Sequence, residues 1–137
     1  QLVAIVSPTH KLAKRKKVSL ADMMKYPFVC REEGSGTREV ISAKLKAAGL
    51  DRQSLKNTME LGSPEAVKGA VEADMGVSIL SSVSVAKEIK LGTLVAIPLS
   101  PKITRNFSFV RQSHKFRAPA MEELLEFARA YCKEIKT

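Results

Sequence analysis

The amino-acid sequence predicts an α/β protein built on a mostly parallel sheet with helices on both faces. Two observations carry this prediction. Short apolar runs of strand length alternate with longer segments whose apolar residues recur at helical spacing, the pattern of strands joined by crossover helices. Twice, moreover, a strand-like run passes directly into a Gly-Ser turn and then a helical pattern, at Gly34-Ser35-Gly36-Thr37 and at Gly62-Ser63-Pro64-Glu65. In open sheets of this kind ligands bind outside the carboxyl ends of the strands, which is where both turns fall.

The elements follow in order. Leu2 to Val6 is an apolar first strand, ended by Ser7-Pro8. After the basic loop of Lys11 to Lys17, Ser19-Leu20-Ala21-Asp22 is a capping-box-like start to a short helix ending near Lys25. Pro27 separates that helix from a strand over Phe28 to Arg31. A helix is predicted over 37–48, with Ile41, Leu45 and Ala48 on one face and Gly49 as its stop. A polar turn, Asp51 to Lys56, leads to a strand over Asn57 to Leu61. Ser63 is a natural N-cap, Pro64 takes the favoured first helical position and Glu65 suits the first turn. Ala66, Val67, Ala70 and Val71 form the buried face of that helix, which Gly76 breaks. Val77 to Leu80 is the next strand, and a helix starting at Ser81 or Ser82 runs to Gly92. Thr93 to Ile97 is a further strand, stopped by Pro98, Ser100 and Pro101. Arg105 to Val110 has the aromatic content of a strand. Ala118 to Ile135 carries the clearest helical stripe: Met121, Leu124, Leu125, Ala128, Tyr131, Cys132 and Ile135 read as core or subunit interface.

Composition narrows the function classes. The chain of 137 residues is sized for one domain with a real core. No apolar run approaches the roughly 18 residues of a membrane span. The chain opens on Gln1, without an initiator Met or a basic leader, and is expected to be a piece of something longer, with no signal peptide. A net charge of +9 invites a nucleic-acid reading. The basic residues are scattered, however, apart from Lys14-Arg15-Lys16-Lys17, and no aromatics interleave that run. It reads as a solvated loop, while the overall charge helps attract an acidic metabolite. Cys30 and Cys132 read as reduced core residues of a cytoplasmic protein.

The first Gly-Ser turn is the candidate binding site. First-turn N–H groups lack intrahelical partners, and the helix dipole favours negative charge there. Gly34 and Gly36 let the backbone approach a ligand, and Ser35 and Thr37 offer hydroxyls. Arg31 and Arg38 flank the turn with positive charge. The plainer alternative is that Ser35 or Thr37 caps the helix and the glycines serve only the turn. Gly62 and Ser63 supply the second helix start, so two N-termini are expected to converge on one ligand. No catalytic group, cofactor or metal is expected. His10 and His114 stand alone in polar loops, and Glu32 and Glu33 point to opposite sides of an extended chain. An enzyme is the disfavoured class.

Longer motifs then point to a family. His10-Lys11-Leu12-Ala13 with Val18-Ser19-Leu20-Ala21-Asp22-Met23 resembles the "HPLA … v-s-L-a-D-L" segment of LysR-type transcriptional regulators, with Lys11 in place of the usual proline. Arg31 to Arg38 is similar to the "RE-GSGTR" loop of the branch that includes Calvin-cycle regulators. Met59 to Lys68 resembles "ELGS-EAIK", and Val71 to Ser81 resembles "AV-aGlGvsiLS", with Asp74 and Met75 replacing the usual Gly-Leu. The resemblance covers nearly the whole chain.

It implies an effector-binding domain like the type 2 periplasmic binding proteins, two α/β lobes around a cleft. Residues 7–99 would form the second lobe, and 1–6 with 100–137 a portion of the first. The domain would then be truncated on its N-terminal side, with the DNA-binding winged helix-turn-helix upstream of Gln1. The resemblance implies a cytoplasmic regulator domain that senses a small anionic metabolite, forms a dimer or tetramer, and reaches DNA only through that absent segment. In the family the hydroxyls matching Ser35 to Thr37 help hold the effector. Two other classes share the fold: a periplasmic oxyanion- or metabolite-binding protein, and an α/β enzyme of prephenate-dehydratase type with a Thr-Arg pair at its cleft.

Overall fold

The structure is a computed structural model of the 137-residue chain, and it describes residues 1–50, 59–106, 108–110 and 119–134. The chain forms two compact units, Gln1–Arg105 and Asn106–Thr137.

In the first unit, β1 (Leu2–Val6) is the centre of a three-stranded sheet in the order β4-β1-β5, formed with β4 (Ser78–Ser81) and β5 (Val95–Ile103). All five residues of β1 are buried, because both its faces are covered. Successive side chains of a strand point to opposite sides. Leu2, Ala4 and Val6 accordingly enter one core and Val3 and Ile5 the other. The first core receives Leu20 and Met23 from α1 (Leu20–Met23) and Ile41 and Leu45 from α2 (Gly36–Ala47). The second receives Val67, Ala70 and Val71 from α3 (Pro64–Glu72), with Val85 just ahead of α4 (Ala86–Leu91). Helices therefore cover both faces, as predicted. Each fully buried large aliphatic side chain contributes about 1.5–3 kcal/mol, so Ile41, Leu45, Val67 and Val71 hold α2 and α3 in place far more firmly than helix propensity does.

β2 (Val29–Arg31) and β3 (Met59–Leu61) pair in parallel, with Arg31 opposite Leu61. A parallel bridge between Phe28 and Val77 ties β2 to the residue before β4, where Val29 N donates to Val77 O at 2.8 Å. Within this α/β architecture β1 departs from the parallel pattern: it runs antiparallel to both β4 and β5, so every strand pair of the three-stranded sheet is antiparallel, and parallel pairing is found between β2 and β3 and in two isolated bridges. Alternation of strands and helices sets the direction of consecutive crossover strands and says nothing about β1, which pairs with strands more than seventy residues away in sequence. β1 is hydrogen-bonded to β4 and β5 within the first unit, and its partner β5 includes residues 100–103.

Several boundaries moved. The capping box of α1 is present: Asp22 N donates to Ser19 Oγ at 3.1 Å, and Ser19 N donates to Asp22 Oδ2 at 3.1 Å. β5 runs on to Ile103 instead of stopping at Pro98. Pro98 has no N–H to give, but an edge strand does not need one there. A bulge lies between the Val3–Pro98 and Leu2–Ile103 pairs and absorbs the extra residues. α4 starts at Ala86, because Ser81 to Val85 form a turn in which Ser84 Oγ donates to Ser81 O at 2.8 Å. The predicted polar turn over 51–56 and the start of the strand at Asn57 lie outside the described residues.

In the second unit, α5 (Pro119–Glu134) is the predicted helix. Of the stripe read as core or subunit interface, Leu124, Tyr131 and Cys132 are exposed in this chain and Met121, Leu125 and Ala128 are half-buried. Thus Cys132 does not match the buried thiol that the stripe predicted, whereas Cys30 on β2 does. The reason is size, since a unit of this length has too little chain to bury a helix face by itself. The aromatic run of 105–110 forms no strand among its described residues, and Phe109 and Val110 are exposed.

Candidate functional site

The site is built where β2 ends. The chain leaves the sheet after Arg31, turns through Glu32 to Gly34 and enters α2 at Gly36. Glu32 N donates to Leu61 O at 3.2 Å and Glu33 N to Glu60 Oε1 at 3.3 Å, so the turn is stitched to β3. Gly34 has φ +82°, a left-handed conformation that a side chain disfavours. Ser35 then takes the N-cap position and Thr37 lies in the first turn. Both are buried, at 8% and 6% exposure.

Ser35 is an N-cap in position only. Its side chain makes no capping hydrogen bond, and its hydroxyl has no partner among the described residues. An N-cap serine ordinarily accepts from the N2 or N3 amide. Here the hydroxyl leaves that amide without a side-chain cap. Thr37 Oγ1 instead accepts a hydrogen bond from Arg105 Nη1 at 3.0 Å. The same guanidinium lies against Gly36: a Cβ on that residue would sit 3.0 Å from Nη2 and 3.2 Å from Cζ. Gly36 is therefore required by a close approach. Hydroxyls, amides of a helix start and one guanidinium converge at this mouth, a set of donors that suits an oxyanion.

The predicted flanking arginines are engaged elsewhere. Arg31 grips Glu32 with two bonds of 2.6 Å, from Nε and Nη2, which raises the arginine's pKa and lowers that of the glutamate. Arg38 donates to Arg31 O at 3.0 Å and pairs with Glu60. Both charges brace the turn from behind. At the second turn, Ser63 Oγ accepts from Ala66 N at 3.1 Å and caps α3 in the ordinary way, with Pro64 at the first helical position. Because β2 and β3 are parallel neighbours in register, Gly62 and Ser63 leave the sheet at the same end as Gly34 to Thr37. Arg105 was not foreseen. It follows β5 and stands 68 residues from Thr37 in sequence, and no local motif marks it.

Elsewhere, His10 packs edge-on against Tyr26 at 4.7 Å, its Nδ1 accepts from Leu12 N at 3.2 Å, and burial lowers its pKa. His114 lies outside the described residues. Among the described residues no group of three His, Cys, Asp or Glu side chains is placed to hold a metal ion, and no helix is long and apolar enough to cross a membrane.

Comparison with known proteins fits this geometry. Residues 1–133 match the family described as the LysR substrate binding domain. The chain is 32% identical over 136 residues to a probable RuBisCO transcriptional regulator of Cyanidium caldarium, and 33% identical over 138 residues to the RuBisCO operon transcriptional regulator of Allochromatium vinosum. These alignments take in 98% and 96% of this chain but only 41% and 45% of the relatives, so the chain spans less than half their length. Among solved structures, the CcmR regulatory domain of Synechocystis PCC6803, in complex with 2-PG, shares the fold at a TM-score of 0.79 and 24% identity, over 99% of this chain and 64% of that one.

Proposed function

The chain belongs to the LysR substrate-binding domain family, and on that premise we propose that it is the effector-binding part of a transcriptional regulator which takes a small anionic metabolite at the N-terminus of α2. The observation that carries the reading is Ser35: a largely buried serine at a helix start, whose hydroxyl reaches solvent and lacks the capping bond such a residue normally makes. A hydroxyl not spent on capping can donate to a ligand oxygen at the helix start. Gly34 and Gly36 admit the ligand to the backbone, Thr37 and Ser35 donate hydroxyl protons, and the helix start supplies amides and dipole. Gly62 and Ser63 border the site from the next strand, with Ser63 held by its own cap. Arg31 and Arg38 support the turn through their carboxylate partners and do not touch the ligand.

A CcmR regulatory domain of this fold holds 2-PG, which supports an effector of that size and kind. The regulators that share this sequence support the wider proposal: a homo-oligomeric cytoplasmic protein, not an enzyme, whose DNA contact is made by a winged helix-turn-helix outside these 137 residues.

The test is thermal unfolding with sulfate, phosphate and small carboxylates. An anion at about 100 times its dissociation constant adds about 2.7 kcal/mol of stability. Wild type is expected to melt several degrees higher, and Thr37→Ala to lose most of that response. Equal responses in the two proteins, or no response in wild type, would overturn the reading.

A further inference from the structure

We propose that a hollow at the C-terminal end of α2 is a second binding site, which takes a small organic acid with an apolar body and one carboxylate. It lies at the opposite end of that helix from Gly34 to Thr37 and does not draw on the anion site proposed there.

The hollow is made by the irregularity of β5. Val3 pairs with Pro98 and Leu2 with Ile103, so residues 99–102 have no partner on β1. They are held instead by the segment ahead of α1. Leu99 bridges to Val18 in parallel, and Ser100 N donates to Val18 O at 2.8 Å. Pro101 thereby forms one wall and Leu20, at the start of α1, another. The third wall is the end of α2. Gly49, at φ +68°, turns the chain, and Leu50 N donates back to Leu45 O at 3.0 Å, which brings Leu50 beside Ala48.

Size and chemistry then select the ligand. The hollow offers about 320 Å³, room for about ten waters at about 30 Å³ each and within the range of small-molecule sites. Its walls are mostly apolar, a surface that an aliphatic or aromatic body covers at a gain. Lys44 and Lys102 line it with exposed side chains, and no Asp or Glu does. Neither lysine has a carboxylate partner among the described residues. The nearby carboxylate of Asp22 is spent on Ser19 and Lys25. Two unpaired cations beside an apolar hollow complement an acid whose charge stays at the rim while its body enters. A phosphate or sulfate alone would leave the apolar walls wet. A neutral hydrocarbon would leave both cations unused.

The experiment uses octanoate, with octan-1-ol as its uncharged counterpart and sulfate as an anion without an apolar body. Binding of each to the 137-residue chain is followed by amide NMR shifts and by calorimetry. The proteins are wild type, the double variant Lys44→Gln with Lys102→Gln, Ala48→Phe and Thr37→Ala. Lys44, Ala48 and Lys102 are exposed, so their substitution leaves the core intact, and thermal melts verify this. Octanoate is expected to shift the amides of Ala21, Ala48 and Lys102 in wild type, and sulfate at equal concentration to move none of them. The double lysine variant is expected to weaken octanoate by about three- to tenfold, the scale of two exposed ion pairs, and to leave octanol unchanged. Ala48→Phe is expected to weaken both, and Thr37→Ala neither. Octanoate binding that ignores the lysines and Ala48→Phe, or that is lost in Thr37→Ala, would overturn the second site. Sulfate shifting the same amides as strongly as octanoate would overturn the class of ligand. No octanoate binding to wild type would overturn the proposal outright, and self-association abolished by Ala48→Phe would then assign the hollow to a second copy of the chain.

Discussion

At the end of β3, Ser63 accepts a hydrogen bond from Ala66 N at 3.1 Å and closes the start of α3. At the end of β2, the neighbouring strand in the same register, Ser35 occupies the same N-cap position before α2 and makes no such bond. Both turns read Gly-Ser in sequence, both leave the sheet at the same end, and both introduce a helix anchored by buried aliphatic residues. They differ in what surrounds the serine. Ser63 is followed by a proline that needs no amide partner, and its own hydroxyl accepts from the third helical amide, Ala66 N. Ser35 is followed by Gly36 and Thr37, against which Arg105 is laid, and its own hydroxyl makes no capping bond. The start of α3 is closed by its serine, whereas the start of α2 keeps its first-turn amides uncapped by Ser35. A satisfied helix start has little left to give a ligand.

The largest effect expected from this comparison concerns ligand affinity. Thr37→Ala removes a hydroxyl polarised by Arg105 and should weaken binding of sulfate or phosphate by roughly 1.5–3 kcal/mol. Ser63→Ala, measured side by side in the calorimeter, should change that affinity little. Equal losses would erase the distinction between the turns.

Next comes the backbone. Gly34 sits at φ +82°, and an alanine there should lower stability by about 1–2 kcal/mol. Gly62 has no left-handed φ and open space where a Cβ would stand, so Gly62→Ala should stay within about 0.5 kcal/mol of wild type. Urea unfolding of the two variants checks both values. A costly Gly62→Ala would show that the second turn has a constraint hidden in its backbone.

The serines themselves sharpen the contrast. Ser63→Ala loses a real cap and should lower stability by about 1 kcal/mol, a shift of several degrees in melting temperature. Ser35→Ala has no cap to lose, so its melting temperature without anion should stay near that of wild type. If Ser35→Ala melts as low as Ser63→Ala, then Ser35 is a cap in solution and the site loses its carrying observation.

The smallest expected effect uses a third cap as a gauge. At α1 the capping box includes a carboxylate, and hydrogen bonds from the Ser19 side chain and backbone hold Asp22 down from its usual 3.8 to about 2. A depressed carboxylate stabilises the fold fully above its ordinary pKa and loses that contribution as pH falls through 2. Asp22 is largely solvent-facing, so the change is modest. Stability profiles between pH 5 and 2 should be flatter in Asp22→Asn than in wild type, whereas Ser63→Ala should shift the whole profile down in parallel, because its cap does not titrate. A Ser63→Ala profile that converges with wild type at low pH would show the caps to be coupled.

Much of this protein was legible in its residues because the relevant interactions are local. The periodicity of Ile41 and Leu45 placed α2, the Ser19–Asp22 spacing placed a capping box that the structure contains, and Ser63-Pro64 placed the start of α3. The motifs from His10 to Ser81 carried the family. Tertiary structure decided what depends on residues remote in sequence. It set β1 antiparallel between β4 and β5, since pairing partners more than seventy residues apart leave no local pattern. It carried β5 past Pro98, because a bulge on an edge strand tolerates what an isolated strand pattern forbids. It left Leu124, Tyr131 and Cys132 of the α5 stripe exposed, because an apolar face states a need for cover and cannot state what meets it. And it paired Arg31 with Glu32 and Arg38 with Glu60, and set Arg105 against Thr37. A charge adjacent in sequence finds the nearest carboxylate first, while the cation that completes the helix mouth arrives from the other end of the sheet.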